Sequence, residues 1–487
     1  MNQTFASLRY FNYRVWFGAA LVANVGTWMQ RVAQDWLVLT VLTDNSGVAV
    51  GIVTALQFVP ALFLSAWAGL LADRVNKRKL LIATQSALGL LAVGLGALVL
   101  SGHVQLWHVY VFAFLLGCVA AIDNPVRQTF VAEMVPLDKL SNAVGLNSAS
   151  FNAARLIGPG LSGLLIAAIG TGWVFLINGV SFLAVIGALL LITTRRVAPV
   201  QKGPKESQLR QLLAGFRYVR QRHDLLVIFL MVFLVGAFSM NFPVMSSTMA
   251  VEFGRGAGDY GLLSSILAIG SLSGALLAAR RPAARMRVVI IAVGGIGVVS
   301  LIAALMPTFW TFAVMLVFLG LAISTTLTTA NGFVQTTSDP AVRGRVLALY
   351  MAILMGGTPI GAPLVGAAAN ALGARSTLFI SAAASLLAFA IGMTWLVTER
   401  GLRFHRDGWK WRVTHAGRPG LGDDPARQSE TLTAPISVLG REPNPVGESA
   451  PQDLPTGVVP LGDESGREED DTDESGNTDG NRENPNR

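Results

Sequence analysis

Long runs of apolar residues, separated by short polar segments, dominate the first 400 positions of the chain. Each run has about 20 residues or slightly more, which is the length that an α-helix needs to cross about 30 Å of hydrocarbon. The runs do not alternate between polar and apolar positions, as strands of a membrane barrel would. The pattern predicts membrane-spanning helices at residues 14–42, 48–71, 80–100, 108–130, 144–168, 173–193, 224–250, 262–279, 288–306, 310–330, 346–370 and 377–397.

Arginine and lysine are unevenly distributed among the loops between these spans. The loops after even-numbered spans hold most of them, Arg78 and Arg127 included, whereas the loops after odd-numbered spans hold only Arg255 and Arg375. Because cytoplasmic loops of membrane proteins carry an excess of basic residues, the even loops are predicted to face the cytoplasm. The predicted fold is an all-α membrane protein with twelve transmembrane helices and with both termini in the cytoplasm.

The longest internal loop divides the spans six and six, and the two halves share a weak repeat. Asn124-x-x-x-Gln128 ends span 4, and Asn331-x-x-x-Gln335 ends span 10. Two pseudo-symmetric six-helix bundles are typical of one family of transporters. The predicted regions are an N-terminal bundle at 1–193, a cytoplasmic linker with an amphipathic helix at 194–223, a C-terminal bundle at 224–400, and a cytoplasmic, largely disordered tail at 401–487.

Composition agrees with a membrane protein. Hydrophobic residues make up 52% of the chain and charged residues 14%, against roughly 25% charged in soluble proteins, and the mean hydropathy is +0.53. The net charge of +8 does not indicate a nucleic-acid partner, because the basic residues border the spans and suit anionic lipid headgroups. The single cysteine, Cys118, excludes an internal disulfide and a CxxC metal site. No cleavable signal peptide is recognised, so span 1 is expected to act as the insertion signal.

Charged residues within the predicted spans are few, and each requires an explanation. Four of them are candidates for function: Arg31 and Asp35 in span 1, Asp123 near the inner end of span 4, and Arg155 in span 5. Arg31 and Asp35 are four residues apart, so they share a helix face and can pair. In a functional interpretation, Asp35 takes up and releases protons during transport. Arg31 or Arg155 then tunes the pKa of Asp35 or contacts an anionic substrate group. In a structural interpretation, Arg31 and Asp35 form a pair near the outer interface, and Arg155 satisfies backbone carbonyls.

The segment between spans 2 and 3 reads Gly69-Leu-Leu-Ala-Asp73-Arg74-Val-Asn-Lys77-Arg78-Lys. It resembles the G-x-L-A-D-R-x-G-R-K motif of the major facilitator superfamily, with asparagine in place of the second glycine. Gly69 allows close approach of a neighbouring helix, and Asp73 can meet a helix N-terminus or an arginine across the seam between the halves. Gly69, Asp73, Arg74 and Arg78 are therefore candidates for a gate on the cytoplasmic side. An ordinary basic loop, the alternative, does not explain the glycine and the aspartate.

Span 5 contains Gly158-Pro159-Gly-Leu-Ser-Gly163, which resembles the G-P-x-x-G motif of exporters in the same superfamily. The segment also fits the GxGxxG pattern of dinucleotide-binding proteins, but no soluble βαβ unit surrounds it. Glycines permit close helix packing, and prolines bend helices. Because span 11 holds Pro359 and Pro363, paired bends in rocking helices are predicted. The alternative is the general tolerance of membrane helices for glycine and proline.

Over residues 1–400 the chain is similar to the branch of this superfamily that contains the enterobactin-type siderophore exporter and macrolide efflux proteins. The segments GTWMQRVAQDWLV and DNPVRQTFVAEMVPLDKLSNA carry the similarity, together with the motifs above. The resemblance implies a monomeric transporter of the bacterial plasma membrane that exports bulky amphipathic drugs or siderophores by alternating access and proton antiport. Its partners would be the small-molecule substrate, protons and membrane lipids, with no cofactor, metal or nucleic acid.

A cavity for such substrates is expected to be lined by aromatic and amide side chains. The candidates are Trp28, Gln34, Gln57, Asn147, Asn152 and Asn241. One position departs from the resemblance: many proton-coupled members carry an arginine four residues before a glycine in span 4, where this chain has Ala113 before Gly117. The usual arginine relay is therefore absent.

Two other functional classes stay open at this point. One is an importer or uncoupled facilitator of the same fold, against which the exporter-like motif in span 5 argues by analogy. The other is a membrane-embedded enzyme or a receptor that transports nothing. The sequence holds no HExxH, GxSxG or Walker-A motif, and the charged residues of the spans form no evident catalytic cluster. An enzyme is therefore not predicted.

Overall fold

Apolar runs of this chain form α-helices, because a helix satisfies its own backbone hydrogen bonds inside a bilayer. The computed structural model describes residues 3–192, 215–281, 283–400, 402–407 and 410–415, and within these ranges the side chains at 3–4, 65–70, 72–74 and 399–415 lie outside the description. The helices are α1 Phe11–Trp36, α2 Gly47–Arg74, α3 Lys77–Leu100, α4 Leu106–Phe130, α5 Leu137–Ile169, α6 Thr171–Leu191, α7 His223–Leu234, α8 Phe242–Glu252, α9 Ala257–Ala279, α10 Met286–Ala304, α11 Phe309–Thr337, α12 Arg343–Leu372 and α13 Ser376–Arg400.

Capping residues determine where several of these helices begin and end. The Ser46 hydroxyl accepts a hydrogen bond from the Ala49 amide at the start of α2, and Asn76 caps α3 in the same way. Helices α5 and α12 end at Gly170 and Gly373, whose φ angles of 83° and 86° lie in the left-handed region that favours glycine. The repeat seen in the sequence therefore extends to the backbone at these two positions.

Eleven helical stretches in the described part of the chain are long and apolar enough to cross a membrane. They are α2–α6, the stretch from His223 to Glu252, and α9–α13. Helix α1 is not among them, although its 26 residues and its π-helical continuation Leu37–Leu42 make it long enough to span. Its charged and amide residues in the last three turns reduce its apolar character. Eleven of the twelve predicted spans are thus found among these stretches.

Two features inside the spans were not predicted. Span 7 was expected as one helix at 224–250, but α7 passes into the π-helical segment Val235–Ser239, and α8 then begins at Phe242 with Pro243 in its first turn. Hydropathy carries no signal for a π turn, because such a turn inserts one residue without changing the apolar character. Arg127 was counted among the loop residues, but it lies inside α4, whose end at Phe130 coincides with the end of predicted span 4.

Helices α1–α6 form the first half of the spans and α7–α13 the second, and the halves meet along two helix pairs. Helix α2 packs on α12, and α5 packs on α9. Glycines make the approach close: Gly47 lies against Gly366, and Gly163 lies against Gly258, so that a Cβ atom at Gly163 or Gly366 would meet backbone atoms. Both contacts lie at the end of the bundle at which α1 connects to α2. This end is called the α1–α2 end.

The hydrogen bonds that join described residues of the two halves all lie toward the α1–α2 end. The Gly47 amide donates to Asn370 Oδ1 at 2.7 Å. Between α5 and α9, Ser265 Oγ donates to the Leu156 carbonyl at 2.7 Å and accepts from the Gly160 amide at 3.0 Å. The halves are therefore closed against each other at this end, while at the opposite, α2–α3 end no hydrogen bond between two described residues joins them.

The regions outside the two halves are described only in part. Residues 215–220 of the predicted linker are helical, with Val219 buried and Phe216 exposed. The rest of that linker, at 193–214, lies outside the described residues, and so does the tail beyond 415. After α13, strand β1 (Leu402–Asp407) pairs in antiparallel fashion with β2 (Lys410–His415).

Candidate functional site

The second half of α1 carries polar and aromatic residues that face other helices. Trp28, Arg31 and Asp35 follow at helical spacing and lie on one side of the helix. Gln30, one position before Arg31, is buried, and its Oε1 accepts a hydrogen bond from Asn178 Nδ2 of α6 at 2.5 Å. Because buried polar groups require partners, this stripe fixes α1 inside the bundle rather than against lipid.

Two arginines converge on the indole of Trp28, one from α1 and one from α5. Arg31 Cζ is 5.0 Å from the Trp28 ring centroid, and Arg155 Cζ is 5.7 Å from it. The ring centroid of Phe58 in α2 lies 5.8 Å from Arg31 Cζ. Phe151 of α5 packs edge-on against Trp28, with the two ring centroids 5.7 Å apart. An aromatic face at such distances attracts a guanidinium. These five residues, which join α1, α2 and α5, are called the Trp28 cluster.

Neither arginine of the Trp28 cluster has an ion pair or a hydrogen bond with another described residue. The sequence indicated that Arg31 can pair with Asp35, and this pair is not formed, because the Arg31 guanidinium lies over Trp28 and Phe58. Arg155 was alternatively expected to satisfy backbone carbonyls, and no such bond occurs among the described residues. Neither guanidinium is therefore in direct contact with a described carboxylate, although Asp35 is near enough to act on the charge of Arg31.

Asp35 instead links the two halves of the molecule. Its carboxylate accepts a hydrogen bond from the hydroxyl of Tyr260 in α9 at 3.0 Å, and the two residues are 4% and 2% exposed. The Tyr260 ring stacks on Trp36, with centroids 6.0 Å apart. Because Tyr260 belongs to the second half, separation of the halves at the α1–α2 end breaks this hydrogen bond. A buried carboxylate at a contact between two halves can couple proton binding to movement of the halves, if they separate there.

Asp123 has a different environment, within the first half. Arg127 Nη2 lies 2.7 Å from its Oδ2, and its Oδ1 accepts hydrogen bonds from Thr84 Oγ1 and Gln85 Nε2, each at 2.7 Å. Arg127 also donates to Asn24 Oδ1 at 3.2 Å, so the network joins α1, α3 and α4. Three donor side chains, one of them a guanidinium, therefore surround the carboxylate. Sequence reasoning missed these partners, although the i, i+4 spacing of Asp123 and Arg127 was a usable signal.

The predicted gate motif is described only in part. Gly69, Asp73 and Arg74 lie in the last turns of α2, and their side chains are outside the described residues. Arg78, in the first turn of α3, donates to two carbonyl oxygens in the last turn of α6, at 2.6 and 2.8 Å. Arg78 therefore caps the C-terminus of α6, where the carbonyls have no partner in their own helix. A gate formed by this motif stays a prediction.

The predicted bend motifs lie inside continuous helices. Helix α5 runs through Pro159, and α12 runs through Pro359 and Pro363. Gly158 faces α1 and Gly163 faces the start of α9, each at a distance where a Cβ atom would overlap its neighbour. These glycines therefore permit the packing of α5 against α1 and α9. Bending at the prolines during transport stays a prediction.

The amide residues proposed for a cavity differ in their surroundings. Gln34 and Asn241 are buried, and Gln34 Nε2 and Oε1 and Asn241 Oδ1 have no described partner. Gln57 and Asn147 are half-buried, and Asn152 is exposed, with its Nδ2 bonded to a carbonyl of its own helix. Buried amides without partners are uncommon, so Gln34 and Asn241 are the members of this set most suited to receive a ligand or water.

Two helical halves that close at one end, with charged and aromatic residues clustered where they part, define a membrane transporter. The chain belongs to the major facilitator superfamily: the profile of its family described as transmembrane secretion effector matches residues 2–402. It is a multi-pass protein of the bacterial inner membrane. The resemblance inferred from the sequence motifs is confirmed.

Its relatives transport siderophores or drugs. The chain is 24% identical to the staphyloferrin A transporter of Staphylococcus aureus over 75% of this chain and 92% of that protein. It is 28% identical to the multidrug efflux pump Tap of Mycolicibacterium fortuitum, over 79% and 95%, and 26% identical to the enterobactin exporter EntS of Escherichia coli, over 65% and 75%. Its fold matches that of a bacterial homolog of the human lysosomal transporter Spinster, with a TM-score of 0.64, 15% identity, and coverage of 81% and 98%.

Proposed function

We propose that this protein exports bulky amphipathic small molecules, of the siderophore or drug class, by alternating access coupled to inward proton movement. The relatives support the direction and the substrate class, since two of those compared are named as an exporter and an efflux pump. The two halves, at 1–193 and 224–400, are the bodies that rock against each other. Helix α1 is the twelfth span, both termini are cytoplasmic, and one lipid-embedded monomer supplies the pathway.

In this topology the α1–α2 end faces outward. The positive-inside distribution of arginine and lysine supports that orientation. The closed seam, with the Gly47–Asn370 and Ser265–Leu156 hydrogen bonds, then seals the outer side, and substrate enters from the cytoplasm. Export requires this seam to open, so the contacts that hold it are the ones that transport must control.

The observation that carries proton coupling is the hydrogen bond between Asp35 and Tyr260 across the seam. Protonation of Asp35 breaks no ion pair with a described residue, but it removes the negative charge that makes the carboxylate a strong acceptor. A proton therefore weakens a contact that closes the outer side. Asp123 is less suited to this role, because its protonation would break the pair with Arg127.

The test is uptake into inverted membrane vesicles with an acidic lumen, using enterobactin, a macrolide and a cationic dye as substrates. We expect accumulation to require the pH gradient and to disappear in Asp35→Asn. Asp44→Asn, which changes an exposed aspartate nine residues later, is the matched control and should transport normally. Equal uptake without a gradient would refute coupling and favour a facilitator.

A further inference from the structure

The arginines of the Trp28 cluster are two positive charges within the membrane domain that form no ion pair with a described residue, although the nearby Asp35 carboxylate acts on the charge of Arg31. Arg31 and Arg155 are each half-buried and share Trp28 as a neighbour. A charge at membrane depth is costly unless an opposite charge or polar groups compensate it. Asp35, one turn after Arg31, is engaged by Tyr260 of the other half. Both guanidinium groups are therefore available to an anion that is not part of the chain.

The Trp28 cluster lies at the level where the two halves part. Arg155 directly precedes Leu156, whose carbonyl carries the innermost described hydrogen bond between the halves on α5. Arg31 lies one turn inward from Asp35, which is the corresponding contact of α1. On the side of the cluster toward the α2–α3 end, Phe151 is 49% exposed. A solute that enters from that end meets both guanidinium groups before it reaches the closed seam.

The chemistry of the cluster selects one class of ligand. The guanidinium group is a planar fork that binds a carboxylate through two parallel hydrogen bonds, and two such groups favour an anion with more than one carboxylate. Trp28, Phe58 and Phe151 supply apolar surface and aromatic edges for the body of the molecule. An amphipathic cation is disfavoured, because both arginines repel it.

We propose that Arg31 and Arg155, with the aromatic rings of the Trp28 cluster, form the substrate subsite for carboxylate-bearing amphipathic anions. The inference rests on the proposed function, because it names the substrate class of the transporter. The competing occupant with related chemistry is the phosphate headgroup of an anionic lipid, which the experiment has to distinguish from a solute.

The test measures binding rather than transport. The full-length protein, purified in a neutral detergent, is titrated with 1-pyrenebutyrate and with the uncharged 1-pyrenebutyramide. We expect the acid to bind roughly tenfold more tightly than the amide, and Arg31→Gln and Arg155→Gln each to remove most of that preference while the amide affinity stays unchanged. Arg31→Lys and Arg155→Lys, which keep the charge but lose the planar fork, should retain part of it.

Arg14→Gln is the matched control. Arg14 lies on the same helix, is exposed, and has its guanidinium 5.9 Å from the Phe11 ring centroid, so its loss removes one similar charge elsewhere. The Arg14→Gln variant should prefer 1-pyrenebutyrate over 1-pyrenebutyramide as strongly as the wild type does. If the glutamine variants bind 1-pyrenebutyramide as the wild type does, they are folded. A loss of their preference for 1-pyrenebutyrate then reports on the subsite itself.

Two results would overturn the proposal. One is equal affinity for acid and amide in the wild type, or an undiminished acid preference in both glutamine variants. The other is loss of the wild-type acid preference in phosphatidylglycerol nanodiscs but not in phosphatidylcholine nanodiscs, which assigns the arginines to a lipid headgroup. Acid binding as expected, together with vesicles that transport nothing, would refute the proposed function and leave the subsite intact.

Discussion

Two aspartates on the membrane helices have almost no exposure, yet their neighbours give them opposite properties. Asp123 is surrounded by donors of its own half, and the network around it and Arg127 connects three helices. Asp35 has one described donor, and that donor belongs to the other half. The first arrangement stabilises a half as a rigid body, whereas the second changes whenever the halves move. This difference predicts separate consequences for stability and for transport.

Asp123→Asn should lower the stability of the protein more than Asp35→Asn does. The first change leaves the Arg127 guanidinium, 16% exposed, without its carboxylate, and breaking a buried pair in this way costs about 3–5 kcal/mol. The second removes the charged acceptor of one hydroxyl, which is worth about 1.5–3 kcal/mol. Thermal unfolding of the purified variants measures both. Equal losses of stability would contradict the distinction between the two aspartates.

Tyr260→Phe should weaken the binding of anions, although Tyr260 belongs to the other half. Without the hydroxyl, the Asp35 carboxylate loses its described donor and can turn to Arg31, one helical turn away, where it competes with a ligand. We expect the affinity for 1-pyrenebutyrate to fall several-fold, with amide binding unchanged. Tyr350→Phe is the control, because its buried hydroxyl bonds a carbonyl within the second half. An equal effect of both changes would exclude the competition.

Among the elements, the contact between α5 and α9 depends on the absence of a side chain at Gly163. A Cβ atom there would lie 2.7 Å from the Ala257 carbonyl oxygen, so Gly163→Ala must push the two helices apart. Overpacking of this kind costs about 1–3 kcal/mol, which lowers the closed population roughly fivefold or more. Gly145→Ala, on the same helix with nothing within 4 Å, is the matched control.

Closure of the α1–α2 end can be measured by disulfide formation between cysteines at 46 and 370. Asn370 Nδ2 lies 3.1 Å from Ser46 Oγ, so Ser46→Cys and Asn370→Cys should form a bond in a Cys118→Ser background. We expect Gly163→Ala to slow this reaction and Gly145→Ala to leave it unchanged. Identical rates in both would show that the α5–α9 contact does not control the closed end.

The helices followed from local patterns, whereas the site required contacts between distant elements. Apolar runs located eleven spans, because hydropathy and length are properties of each segment. The break between α7 and α8 was missed, since a π turn leaves the hydropathy unchanged. Spacing suggested an Arg31–Asp35 pair, but Arg31 instead lies over the Trp28 ring, and Asp35 accepts a hydrogen bond from Tyr260. No signal near Asp35 in the sequence points to a residue 225 positions later.

For the whole molecule, the two proposed fluxes carry charge in the same direction. An organic anion that leaves the cell and a proton that enters it both move negative charge outward, so an inside-negative membrane potential drives both steps. Each charge that crosses 100 mV contributes about 2.3 kcal/mol. A transporter of neutral compounds with the same proton coupling moves only the charge of the proton. Arg31 and Arg155, which form no ion pair with a described residue, therefore predict a transporter whose substrate gradient depends on voltage as well as on pH.

Inverted vesicles with equal pH on both sides should accumulate 5-carboxyfluorescein, a fluorescent aromatic anion, when a potassium diffusion potential makes the lumen positive. At 100 mV the equilibrium ratio should rise by roughly 50-fold for each charge moved, and reversing the potential should abolish uptake. Arg31→Gln combined with Arg155→Gln should lose this response, whereas Arg14→Gln should keep it, because Arg14 lies outside the cluster. Uptake that follows a pH gradient but ignores voltage of either sign would mean that transport is electroneutral, which contradicts an anion moving against protons.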